Sequence, residues 1–121
     1  MRVFPVALAA LVLAGSARAD GDAARGEARF AECGSCHLLD KQADSVGPSL
    51  YGVFNRKAGT LADFRYSPAL GRSGIVWDEH TIDTFVADPQ AVVPGNRMPY
   101  AGLTDPAARA DLIVYLAQTF K

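Results

Sequence analysis

The sequence predicts a small all-α domain whose helices are joined by long loops and need a further group at their centre. Apolar residues recur at helical spacing in several segments, and no strand-rich stretch, internal repeat or low-complexity tract interrupts them. The 121 residues, half of them apolar, suffice for one domain and leave little room for a second. Long segments rich in Gly and Pro separate the helical ones, so the helices alone would pack poorly.

The first 19 residues have the features of a secretory signal peptide. After a weakly positive start, residues 6–13 form a short apolar run, and Ala17-Arg18-Ala19 fits the small-x-small pattern that signal peptidase cleaves. We expect cleavage after Ala19, which leaves residues 20–121 as a mature periplasmic domain. An uncleaved membrane anchor is the alternative, but the run is well short of the roughly 20 residues that span a bilayer.

The first two helices of the mature domain have clear start signals. Asp22 is a plausible N-cap for a helix to about Glu32. Residues 38–60 lack a period and predict an ordered loop that wraps around the centre. Ser67-Pro68 reads as an N-cap followed by proline at the first helical position, and it opens a very short helix that glycines at 71 and 74 close.

Two longer helices complete the domain. One follows Asp78 and ends before Pro89. Residues 91–103 contain two Pro-containing turns and predict a loop. Thr104 or Asp105 then caps the strongest helix of the chain. Its apolar face comprises Ala108, Leu112, Tyr115, Leu116 and Thr119.

The only two cysteines lie in Cys33-Gly34-Ser35-Cys36-His37, at the end of the first predicted helix. This spacing places both thiols on one face of a helical turn, where each can bond a haem vinyl group, and the next residue offers an imidazole to the iron. A thioredoxin-like pair would need parallel strands, and a zinc site would need two more ligands. We therefore predict one covalently bound haem c, which also supplies the missing centre of the core.

Met98 is the predicted sixth ligand of the iron. It is the only methionine of the mature chain, and it lies in a Gly-Asn-Arg-Met-Pro loop where a core-filling role is less expected. His80 is the rival, but it falls in the first turn of a helix, where an imidazole is usually solvated. Ligation by His37 and Met98 would favour ferrous iron, raise the reduction potential and close the metal to substrates.

The charge of the chain argues against nucleic acid as a partner. Signal cleavage removes two of the twelve basic side chains and none of the thirteen acidic ones, which leaves a net charge of −3. A nucleic-acid-binding domain would be strongly basic.

These motifs together resemble those of the class I c-type cytochromes, the soluble bacterial relatives of mitochondrial cytochrome c. The resemblance covers nearly all of residues 20–121. It implies that Gly26 and Phe30 of the first helix pack across Leu112 and Tyr115 of the last. It also implies the small cytochrome c fold, with three main helices and one or two short ones around the haem.

The same resemblance assigns further residues to the haem. The carbonyl of Pro48 would accept a hydrogen bond from His37 and orient that ligand. Three polar side chains would hydrogen-bond the haem propionates, while Met98 falls on the axial methionine of the family. These three are Arg56, Tyr66 and Trp77.

The chain also departs from its relatives. Phe85 stands where many of them have a tyrosine hydroxyl near the methionine sulfur, and Leu70 where many have an asparagine near the propionates. We expect a more apolar pocket. Glu32, Gln90 and Arg97 occupy positions where relatives often carry docking lysines, so strong steering towards an acidic partner is not expected.

The resulting functional prediction is a monomeric periplasmic electron carrier without enzymatic activity or stable membrane insertion. Its redox protein partners would be a membrane cytochrome bc-type complex or dehydrogenase on one side, and a terminal oxidase, a reductase or a photosynthetic reaction centre on the other. Two alternatives stay open: a fixed electron-transfer subunit of a larger oxidoreductase, and a peroxidase-like haem enzyme, which would need an open sixth position.

Overall fold

The part of the chain that the structure describes contains five helices. The computed structural model describes residue 1, residues 21–39 and residues 44–121. The helices are α1 (Ala23–Gly34), α2 (Pro68–Arg72), α3 (Glu79–Ala87), α4 (Pro89–Val92) and α5 (Pro106–Thr119). Within these ranges the only β-type pairing is an isolated bridge between Lys57 and Val76, so the all-α prediction of three main helices plus one or two short ones is confirmed.

The predicted signal peptide, residues 1–19, lies outside the described residues apart from Met1, so its cleavage stays a prediction. In the described part of the chain, every helix is too short or too polar to span a bilayer.

The helices begin where their capping residues predict. The carboxylates of Asp22 and Asp78 accept hydrogen bonds from the third backbone N–H into α1 and α3, and the hydroxyl of Ser67 does the same for α2. Asp105, rather than Thr104, caps α5. Local side-chain chemistry therefore sets the register in which each helix meets the core.

α1 and α5 cross at a close contact that supports the cavity described below. Gly26 is buried there, and a Cβ at this position would overlap the backbone carbonyl of Asp111. One helical turn further on, Phe30 is 4% exposed and packs its ring 5.3 Å from Tyr115 and 5.4 Å from Phe120. Because α1 ends four residues after Phe30, this packing fixes where the cysteine motif lies.

The structure corrects two of the predicted boundaries. α1 extends to Gly34, two residues beyond the predicted end. Residues 91 and 92, predicted as loop, belong to the single turn of α4. Pro89 ends α3 because it has no N–H, yet its fixed φ suits the first position of a new helix, and the Asp88 carboxylate caps that helix by accepting from the N–H of Ala91 at 3.2 Å.

The described part of the predicted 38–60 loop is ordered by pairing with residues 75–77. The N–H of Asn55 donates to the Trp77 carbonyl at 2.6 Å, and the N–H of Trp77 donates to the Arg56 carbonyl at 2.9 Å. Asn55 has a φ of 67°, a left-handed conformation that asparagine tolerates better than most residues. This pairing brings Arg56 and Trp77 together on one side of the core.

Candidate functional site

A cavity of about 360 Å³ lies between α1, α3, α5 and the loops that connect them. Its walls are mostly apolar and aromatic. All of the sequence-predicted site residues line it, although the sequence separates them by up to 65 positions. They are Cys33, Cys36, His37, Pro48, Arg56, Tyr66, Trp77 and Met98. His80, the rival iron ligand, lies exposed in the first turn of α3 and is not part of this lining.

The cysteine motif forms the turn that ends α1. The backbone N–H groups of Cys36 and His37 both donate to the Cys33 carbonyl, at 3.0 and 2.8 Å, which holds the two half-buried thiols at the cavity. Burial, with smaller effects from Glu32 and Cys36, raises the pKa of the Cys33 thiol to about 11. Before haem is attached, Cys33 is therefore a protonated thiol at neutral pH.

The His37 ring is fixed in orientation and in tautomer. Its Nδ1 lies 2.7 Å from the carbonyl oxygen of Pro48, and because a carbonyl can only accept, Nδ1 must carry the proton. Nε2 therefore keeps its lone pair. Burial lowers the pKa of His37, although the hydrogen bond to Pro48 acts in the opposite direction. The lowered pKa keeps the ring neutral.

Gly47 allows the Pro48 carbonyl to approach the imidazole. A Cβ at Gly47 would lie 2.6 Å from Cε1 and 2.8 Å from Nδ1 of His37, closer than real side chains allow. The N–H of Gly47 also donates to the Cys36 carbonyl at 3.0 Å. A glycine at this position is thus required by the contact with the ring.

Met98 reaches the cavity from a loop that is held at both ends. Its N–H donates to Asn96 Oδ1 at 2.9 Å, and its carbonyl accepts from the N–H of Tyr100 at 2.9 Å. The Tyr100 hydroxyl donates to Glu32 Oε2 of α1 at 3.0 Å. Burial and, next, this hydrogen bond to Glu32 raise the pKa of Tyr100 to about 12, so the hydroxyl stays a donor at neutral pH.

Polar groups are concentrated where residues 49–66 border the cavity. The Arg56 guanidinium donates to the carbonyls of Tyr51 and Ser49 at 3.0 and 2.9 Å. Burial lowers the pKa of Arg56 and raises that of Tyr66, whose oxygen accepts from the N–H of Leu61 at 3.3 Å. These two groups can offer charge and hydrogen bonds to an anionic substituent.

The wall formed by Phe85 is apolar. Phe85 is 8% exposed, and its ring meets the Trp77 indole edge to face at 5.1 Å. Leu70 of α2 also lines the cavity. Phe85 and Leu70, the two residues that depart from the pattern of the resembled family, therefore both place hydrocarbon against the cavity.

The donor set fits a haem better than a metal bound by protein side chains alone. Two thiols on one turn, a neutral imidazole with a free Nε2 and a thioether are the ligands and attachment groups of c-type haem. In contrast, residues 21–39 and 44–121 contain no group of three or more His, Cys, Asp or Glu side chains arranged to hold a metal ion. The apolar cavity suits the macrocycle, and Arg56 and Tyr66 suit its propionates.

Sequence reasoning missed two residues that shape this site, Asn96 and Tyr100. An asparagine two positions before Met98 was an available signal, because its side chain commonly accepts from the N–H two residues later. The bond from Tyr100 to Glu32 joins residues 68 positions apart and had no local signal.

Comparisons with known proteins match most of the chain. The Cytochrome c family model matches residues 23–120. Cytochrome c2 of Rhodomicrobium vannielii is 43% identical over 97% of this chain and 96% of its own, and cytochrome c2 iso-2 of Magnetospirillum fulvum is 49% identical over 72% of this chain and 91% of its own. The structure of cytochrome cH from Methylobacterium extorquens superposes with a TM-score of 0.75 at 43% identity, over 81% of this chain and 99% of that one.

Proposed function

The chain belongs to the cytochrome c family, and on that premise we propose that residues 20–121, released from the signal peptide, act as a monomeric periplasmic carrier of single electrons. Members of this family are electron carriers, and they bind haem c covalently. The haem supplies the one-electron couple between ferric and ferrous iron. The residues of this chain bind it, orient it and exclude water from it.

We propose the following division of roles. Cys33 and Cys36 would attach the haem through thioether bonds, and His37 Nε2 and the Met98 sulfur would bind its iron. Pro48 orients the imidazole by accepting from Nδ1, which also increases its basicity. The propionates are held by three further cavity residues, Arg56, Tyr66 and Trp77.

One observation carries this proposal: His37, with its free Nε2, and Met98 line the same cavity from chain segments 61 positions apart, beside both cysteines. A filled sixth position favours electron transfer over peroxide or oxygen chemistry, because a substrate cannot reach the metal. A soft thioether ligand also raises the reduction potential, which suits a carrier late in a respiratory or photosynthetic chain.

The axial ligation can be tested on the haem-loaded protein isolated from the periplasm. We expect a low-spin spectrum with the near-infrared methionine-to-iron band. Met98→Ala should abolish the band and make the protein react with peroxide, whereas His80→Ala, the control at the exposed histidine, should change neither. Loss of low-spin ligation in His80→Ala, with Met98→Ala unaffected, would overturn the assignment.

The carrier role has a separate test. The protein should elute alone at moderate salt, and its reduced form should pass electrons to one of three purified acceptors: a terminal oxidase, a nitrite reductase or a photosynthetic reaction centre. A membrane cytochrome bc-type complex or a dehydrogenase should reduce it again. Stable co-purification with a dehydrogenase would instead indicate a fixed subunit, and peroxide turnover by the unmodified protein would indicate an enzyme.

A further inference from the structure

Asn96 is buried in a segment that is otherwise at the surface. It is 8% exposed, whereas Gly95 and Arg97 on either side are exposed. A buried amide needs hydrogen-bond partners for its oxygen and for both of its N–H groups, because leaving any of them unpaired is costly.

The surrounding loop supplies a partner for every one of these groups. Nδ2 donates to the carbonyls of Pro89 and Val93, at 2.9 Å each. Oδ1 accepts from the N–H of Met98 at 2.9 Å. The reverse orientation of the amide would set its oxygen against two carbonyls and its nitrogen against an N–H, so only one orientation is compatible with these neighbours.

The backbone of Asn96 is fixed as well. Its N–H donates to the Val93 carbonyl at 3.1 Å, and its carbonyl accepts from Gln90 Nε2 at 2.9 Å. Gln90 Oε1 in turn accepts from the N–H of Gly95 at 3.2 Å. Since Pro89 is fully buried in the core, these bonds tie the loop to the α4 turn.

We infer that Asn96 is a positioning residue that holds Met98 against the iron by linking its N–H to the anchored α4 turn. This inference rests on the ligand role proposed above for Met98. Asn96 lines the cavity, but its side-chain oxygen and nitrogen are bonded within the loop, so it acts by restricting the loop. Without it, the segment from 95 to 98 would lose three side-chain hydrogen bonds, and the methionine would leave its position more often.

Exogenous imidazole measures that opening, because it binds the iron only when the methionine has left. We expect Asn96→Ala to bind imidazole about 5- to 50-fold more tightly than the unmodified protein and to weaken the near-infrared methionine-to-iron band. Asn96→Thr keeps an oxygen that can accept from the Met98 N–H, so its imidazole affinity should lie between those of the alanine variant and the unmodified protein. If Asn96→Ala does not fold, the imidazole affinity of Asn96→Thr tests the inference in its place.

Asp105→Ala is the control. It removes the cap of α5, where Asp105 accepts from the N–H of Ala107 at 3.1 Å, and so lowers overall stability away from the Met98 loop. Its imidazole affinity should match that of the unmodified protein. The inference fails if the Asn96 variants bind imidazole no more tightly than Asp105→Ala while the unmodified protein shows the methionine band. Absence of that band from the unmodified protein would instead refute the proposed Met98 ligation, and the inference with it.

Discussion

At the scale of single residues, Phe85 is the side chain that most distinguishes this cavity. It is buried against Trp77, where many relatives carry a tyrosine hydroxyl near the methionine sulfur. In Phe85→Tyr the new hydroxyl can donate to the thioether, which weakens the sulfur as a ligand of ferric iron. A hydrogen bond of about 1 kcal/mol corresponds to about 40 mV for one electron. We predict a reduction potential raised by tens of millivolts and displacement of Met98 at a lower pH.

Redox titration and the near-infrared band measured against pH check this prediction. Phe54→Tyr is the control, since Phe54 packs against the same core but does not line the cavity. It should leave the potential and the pH of methionine displacement unchanged. If Phe85→Tyr also leaves both unchanged, the apolar wall does not tune the iron.

The site residues differ in how far the sequence could predict them. The group from Cys33 to His37 is contiguous, so its chemistry can be read from spacing alone. Arg56 and Tyr66 could be placed only through the resemblance to a family. For Asn96 only the bond to the Met98 N–H had a local signal; its anchoring could not be assigned, because its carbonyl partners are Pro89 of α4 and Val93 just after it, and the sequence predicts part of this single helical turn as loop. A role that depends on a tertiary neighbour has no signal until the neighbouring element is known.

At the scale of helices, the contact between α1 and α5 is limited by Gly26. A Cβ there would overlap the Asp111 carbonyl, so Gly26→Ala should lower the free energy of unfolding by about 1–3 kcal/mol, as overpacking does. Denaturant titration of the haem-loaded protein measures this. Gly71→Ala is the control: Gly71 lies in α2 with no atom within 4 Å of the position its Cβ would take, and the change should stabilise by about 0.5–1 kcal/mol. Equal effects of the two substitutions would contradict the close contact.

The same pair of helices carries a pH-dependent ion pair. Asp111 accepts from Arg25 Nε at 3.0 Å and from the N–H of Asp22 at 2.7 Å. The hydrogen bond from Arg25, followed by that from Asp22, lowers the pKa of Asp111. Because the folded pKa is below the unfolded value of about 3.9, the stabilisation is fully present above that value and is lost as pH falls through the folded pKa.

We therefore predict that Asp111→Asn is less stable than the unmodified protein by a constant amount above about pH 5, and that the difference shrinks below about pH 4. Unfolding free energies measured from pH 7 to pH 3 provide the test. Arg25→Gln should show the same dependence, because it removes the other half of the pair. A difference that does not vary with pH would mean that the carboxylate charge does not stabilise the fold.

At the scale of the whole molecule, the buried residues of the core surround the cavity. By the cost of cavities in protein cores, filling about 360 Å³ is worth on the order of 9 kcal/mol, which is comparable with the whole stability of a small domain. We predict that the variant with both Cys33→Ala and Cys36→Ala, which cannot attach haem, loses cooperative thermal unfolding, as circular dichroism would detect. A cooperative transition in the haem-free double variant would show that the helices form a stable fold without the haem.

Charge at the same scale governs how the protein meets its partners. The charged side chains around the cavity are Glu32, Arg56, Arg65 and Arg97, and no lysine lines it in the described ranges. Because Arg56 is bonded to backbone carbonyls and Glu32 offsets one of the other two arginines, the excess of positive charge is small, and attraction to an acidic partner should be weak. Between about 10 mM and 0.15 M salt the Debye length falls from about 30 to 8 Å, and we predict that the second-order rate of electron transfer to an acidic partner falls less than about threefold.

A lysine-bearing variant turns this into a direct comparison. Ser35 and Val46 are exposed at the rim of the cavity, and Val46 is 66% exposed. Ser35→Lys combined with Val46→Lys should raise the rate at low salt and make it fall about tenfold or more over the same range, because two added charges steer the encounter. The pair Ser35→Gln and Val46→Gln controls for side-chain size and should behave like the unmodified protein. If the rate for the unmodified protein already falls tenfold over this range, its arginines attract the partner as strongly as lysines would. The choice of partner would then depend on charge.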